Sequence, residues 1–124
     1  MSFAFQLLDS PDLELDVESI FTFLSSLNTN LGSDFLVALE DTLKRMEARY
    51  QRDIPGIPQA TIGPFFREEI KADKASPVSF RNFRKYYVWY IIDRELKVVR
   101  VLAIDHSAKD PLRLEKMLNQ RLGK

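Results

Sequence analysis

The sequence predicts an α+β domain: a strand and a helical hairpin, packed on a small, mainly antiparallel sheet, with a C-terminal helix. Three observations carry this. Two stretches in the first fifty residues repeat apolar side chains at helical spacing. The stretch from Tyr86 to Ile92 is aromatic and β-branched, a polar turn follows it, and a second apolar run comes next. A last helical stripe closes the order. At 124 residues the chain has the length of one domain.

Phe3, Phe5 and Leu7 alternate with smaller or polar neighbours and predict a short first strand. Ser10, Pro11 and Asp12 then form a helix start: a hydroxyl to cap free amides, a proline for the first turn and an acid at the positive end of the dipole. Leu13, Val17, Ile20, Phe21, Leu24 and Leu27 fall on one stripe of that helix, and Asn28, Thr29, Asn30 and Gly32 break it. A second helix runs from about Ser33 to Tyr50. Its stripe is Phe35, Leu39, Leu43, Met46 and Tyr50, with Thr42 beside it. The short break between the two predicts an antiparallel hairpin.

Residues 51–78 contain Pro55, Gly56, Pro58, Gly63, Pro64 and Pro77 and read as a long loop, with room for a short helical turn around Phe65 to Ile70. Tyr86 to Ile92 and Leu96 to Ile104 form a β-hairpin about the turn Asp93-Arg94-Glu95. Their near-continuous apolar character predicts central strands covered on one face by the helices. Alternation sends Tyr87, Trp89 and Ile91 to one side and Tyr86, Val88, Tyr90 and Ile92 to the other. Asp110-Pro111 repeats the cap-and-proline start. Leu114, Met117, Leu118 and Leu122 line the final helix, and Lys116 and Arg121 lie in its second half, where the dipole favours cations.

Composition narrows the chemistry. The chain has no cysteine, which excludes disulfides and thiolate metal sites. The four glycines are scattered, so there is no phosphate-cradling loop. A single histidine makes a zinc site unusual, and no nucleophile elbow supports a serine triad based on His106. No apolar run nears the roughly 20 residues that span a bilayer. Met1 to Ser10 lack the pattern of a secretory signal, so the expected compartment is the cytoplasm.

Net charge is zero, with 18 basic and 18 acidic side chains, but residues 1–49 carry nine acids against three bases. The stretch from Phe80 onward is basic. That half can meet phosphates or an acidic partner, or the two halves can neutralise each other. Arg81, Arg84, Lys85, Arg100 and Lys109 interleave with Tyr86, Tyr87, Trp89 and Tyr90, a mixture that can grip a phosphate backbone and stack bases. Strand aromatics are more often core than platform. His106 suits acid–base work near neutrality, although a lone histidine at a strand end more often ties down a turn.

Arg81-Asn82-Phe83, Tyr86-Tyr87-Val88-Trp89-Tyr90 and the run from Val98 through His106 to Pro111 together resemble the second half of the RelE/ParE family of bacterial toxins. An upstream helical hairpin after a short strand fits the same fold, and the resemblance covers roughly residues 3–113. It implies the toxin half of a type II toxin–antitoxin pair, with a cognate antitoxin as partner, no cofactor and no membrane. RelE-like members cleave mRNA on the ribosome; for that activity the resemblance implies Arg81, Arg100 and His106 as catalytic groups. ParE-like members inhibit DNA gyrase by binding it, and Arg84, Lys85 and Lys109 are then the expected target-binding residues. His106-Ser107-Ala108-Lys109-Asp110 looks like the ParE-side signature with lysine in place of arginine. Ser107 stands where ribonucleases of the family carry a base, and no tyrosine follows Tyr90, so the expectation leans to gyrase. Two departures are the longer loop 51–78 and the neutral net charge. The expected antitoxin seat is the groove between the helical hairpin and the sheet.

Overall fold

The computed structural model describes residues 6–9, 12–28, 30–51, 63–72, 85–93, 95–106 and 111–123. Its elements are β1 (Gln6–Asp9), α1 (Leu13–Leu27), α2 (Leu31–Gln51), β2 (Phe66–Glu69), β3 (Tyr86–Asp93), β4 (Val98–His106) and α3 (Pro111–Leu122). The four strands form one sheet in the order β1-β4-β3-β2. Two of its ladders are antiparallel, and β1 lies parallel to β4, with Gln6 opposite Val98. The class is α+β, as the sequence predicts.

Periodicity explains most of the packing. Phe35, Leu39, Met46 and Tyr50 are buried along α2, joined by Ala38 and Thr42. They meet Tyr86, Val88 and Tyr90 of β3 and Val99, Val101 and Ile104 of β4 in one core. Trp89, Leu102 and Ala103 point the other way and pack with Phe65, Leu114 and Leu118 in a second core. The sheet is therefore covered on both faces, by the hairpin on one and α3 on the other, rather than on one face as expected. The strands are apolar on both sides because each side has its own helical layer.

The switch of faces within β4 comes from a β-bulge. The β3–β4 register shifts between Trp89 and Tyr90, which pair with Ala103 and Val101 and leave Leu102 as the extra residue. Beyond Val101, β4 has no β1 to pair with. The exposed groups are satisfied by side chains instead. The Ile104 N–H donates to Asp16 Oδ2 at 3.0 Å, and Arg121 Nη1 donates to the Leu102 carbonyl at 3.0 Å. Arg121 also grips Asp16 with both Nη atoms and lies 3.9 Å from Asp12. The acidic first half and the basic second half thus neutralise each other in part, as one of the two expectations has it.

Several local expectations need correction. The helix-start residues Ser10 and Pro11, like Phe3 and Phe5, lie outside the described residues, and α1 begins at Leu13 with Asp12 as cap residue but no side-chain capping bond. Asp12 faces Arg121 instead. Leu27, placed on the core stripe, is exposed. Gly32 does not break the helices: it is buried in the first turn of α2, where a side chain would collide with Ser25 and the Phe21 ring of α1. The segment around Phe66 is a strand, not a helical turn. Its period of two puts Phe66 against the hairpin and Arg67 on the α3 side. β4 begins at Val98, not Leu96, because Asp93 Oδ1 accepts bonds from the Glu95 and Leu96 N–H groups and Lys97 takes a left-handed φ of 57°.

Candidate functional site

The basic residues singled out from sequence divide into two groups. Arg81, Arg84 and Lys109 lie outside the described residues. Lys85, Arg100 and His106 lie on or beside β3 and β4. Arg100 is half-buried in mid-strand and pairs with Ile91, which packs into the α3-side core, so Arg100 belongs to that face. His106 ends β4 opposite Tyr86, on the hairpin face, and its ring meets the Tyr86 ring edge-on at 5.0 Å. The His106 N–H is held by Asp105 Oδ1 at 2.8 Å. Five strand residues lie between Arg100 and His106, a separation of up to roughly 20 Å at about 3.3 Å per residue step. The sheet therefore does not bring these two groups to one phosphate. Lys85, exposed and next to Tyr86, shares the His106 end of the ladder.

The aromatic strand is not an open stacking platform. Tyr86, Trp89 and Tyr90 are buried, and Tyr87 is half-buried. Burial raises the Tyr86 hydroxyl above its ordinary pKa, helped by the nearby Asp105 charge. Tyr90 is raised further, first by burial and then by its 2.8 Å hydrogen bond to Tyr50. Tyr50 is raised by the same burial. Phe66 stacks on Tyr90 at 5.6 Å. Beside this pair, Arg49 forms a two-pronged bond with Glu68 at 2.7 and 3.1 Å, which raises its own pKa and ties α2 to β2.

Sequence reading missed Arg67. Its guanidinium lies 4.4 Å from the centre of the Tyr87 ring and 6.0 Å from that of Trp89. The alternation of Phe66 and Glu68 with Arg67 and Glu69 was the available signal. Among the described residues no three acidic or imidazole side chains gather as a metal site requires. No helix among them is long and apolar enough to cross a membrane.

One concave feature among the described residues is mainly apolar. Between α1 and α2 runs a groove of about 610 Å³. Leu13, Val17 and Phe21 form one wall, Leu36, Leu39 and Leu43 the other, and Ile104 of β4 also lines it. Leu15, Glu14 and Glu18 form its α1 rim. Leu15 is 64% exposed and Leu36 38%, although both are leucines in a well-formed helix. The sequence predicts a groove between the hairpin and the sheet; this one lies between the two helices of the hairpin, and among the described residues Ile104 is its one lining residue from the sheet. Apart from Glu14 and Glu18 its lining side chains among the described residues are apolar. Comparison of the chain with protein-family models, with curated proteins and with solved structures gives no match.

Proposed function

We propose that this chain is a toxin of the RelE/ParE type that acts by binding DNA gyrase and is silenced by an antitoxin segment seated in the α1–α2 groove. The likeness of the Arg81 to Pro111 stretch to that family supports the reading, as does a helical hairpin laid on one face of a β-hairpin. The observation that carries binding over catalysis is the placement of Arg100 and His106 on opposite faces of the sheet. Metal-free cleavage of a phosphodiester needs a cation and a proton acceptor within reach of one phosphate. The strand end at Lys85 and His106 is then a recognition surface rather than a reacting centre.

The test is induced expression of the chain alone in a bacterial host, with viable counts and DNA breaks scored in the same culture. Death with breaks is the expected result. Arrest without breaks, with mRNA cut on ribosomes, would move the assignment to the ribonuclease branch. Normal growth with folded protein present would reduce the chain to a binding module that kept the fold.

A further inference from the structure

We infer that the occupant of the α1–α2 groove is a basic amphipathic helix, an inference that takes from the proposed function only the premise that a protein segment sits there. Three observations point to it. α1 is apolar on more than one face: Leu13 and Leu24 are buried, while Leu15 at the groove rim is 64% exposed and Leu36 of the opposite wall 38%. A helix with a second apolar face is one that something covers.

The occupant must satisfy its own backbone. Both walls are helices, whose amides and carbonyls are bonded internally. At Ile104, on the β4 side of the groove, the N–H is already taken by Asp16. An extended segment laid here would find no ladder to join, so a helix fits and an added strand does not. α1 spans roughly 22 Å at 1.5 Å per residue, which matches a partner helix of about 15 residues.

The rim fixes the charge. Among the described residues the ionisable ones lining the groove are Glu14 and Glu18, both exposed, and α1 contains no lysine or arginine. The cations of α2 are engaged elsewhere: Lys44 with Glu40 at 2.9 Å, Arg45 with the Lys71 carbonyl at 2.7 Å, and Arg49 with Glu68. Lysines or arginines flanking the apolar anchors of the partner would meet the exposed carboxylates of Glu14 and Glu18. A second copy of the chain placed symmetrically on this face would set acid against acid.

Two labelled helical peptides of about 15 residues test this, with leucines at every third and fourth position and either lysines or glutamates beside them. Fluorescence anisotropy on the full chain should show the lysine peptide binding at least about tenfold tighter at low salt, with the advantage shrinking as salt rises. In the double variant Glu14→Lys/Glu18→Lys the preference should reverse, and Leu36→Asp should weaken both peptides. Equal binding of the two, a preference indifferent to the double variant, or no binding of either would overturn the inference. So would a dimer in sedimentation that Leu36→Asp dissociates. Death on expression together with no peptide selectivity would remove the basic helix and keep the toxin. Selective binding by a chain that leaves cells growing would do the reverse.

Discussion

Gly32 of α2 packs so closely on Ser25 of α1 that a methyl group at position 32 would overlap the serine hydroxyl and come within 2.9 Å of the Phe21 ring. The helical hairpin owes its close approach to the missing side chain. Gly32→Ala should destabilise the fold by about 1–3 kcal/mol, the usual cost of overpacking, despite the better helix propensity of alanine. Ser25 Oγ is buried and makes no hydrogen bond among the described residues. Ser25→Ala should therefore be neutral or stabilising, and it should recover part of the Gly32→Ala loss in urea denaturation.

Arg121 and Asp16 are both largely buried, at 17 and 14% exposure, and each also holds a β4 backbone group. Arg121→Ala leaves the Asp16 carboxylate without its cation and the Leu102 carbonyl without its donor. Roughly 3 kcal/mol of stability should be lost, because a partner removed from a buried pair strands the other charge. Asp16→Asn should cost comparably. A double-mutant cycle should return a coupling well above the ~0.5 kcal/mol of an exposed pair.

Thr42 is a fully buried hydroxyl that donates to the Ala38 carbonyl and accepts from the Lys71 N–H at 3.0 Å and from Arg45 at 3.1 Å. Thr42→Val keeps the shape and strands the Lys71 amide. A loss of about 1–3 kcal/mol is expected in thermal unfolding, with Thr42→Ser retaining most of the stability.

Tyr50, Tyr86 and Tyr90 all have folded-state pKa values above the ordinary tyrosine value, with burial the largest cause in each. The unfolded chain ionises its tyrosines near pH 10 while the folded chain keeps these three protonated, so the native state binds more protons there. Their contribution to stability is complete below about pH 10 and is lost as pH rises above it. Absorbance at 295 nm should show these phenolates forming together with alkaline unfolding rather than before it. Ionisation of all three in a chain with native circular dichroism would contradict the burial argument.

The helices and the β-hairpin were legible because apolar spacing reports one-sided burial, and Phe35, Leu39, Met46 and Tyr50 repeat at helical steps. The strand faces of Tyr87 and Trp89 against Tyr86 and Tyr90 followed from alternation. What covers each face did not follow, since a buried aromatic and a stacking aromatic look alike in sequence. β2 was hidden because four residues amid prolines and glycines carry too little pattern to tell a strand from a turn. The bulge at Leu102 and the Asp16–Arg121 bond depend on partners far away in the chain, and spacing within one segment cannot report them. For the site, sequence named the residues along β4 but not that Arg100 and His106 would face apart.

β4 has a consequence for the order of assembly. It is the strand between β1 and β3, and its far edge is sealed by one helix made before it and one made after. During synthesis Gln6–Asp9 has no sheet to join until Val98–Val101 exists, and the hairpin meanwhile holds its inner face open. The β3–β4 pair is the local step, and the parallel closure of β1 across some ninety residues carries the larger loop entropy. Refolding should thus be slowed most by changes that weaken β3–β4, while changes in β1 or at Arg121 should chiefly hasten unfolding.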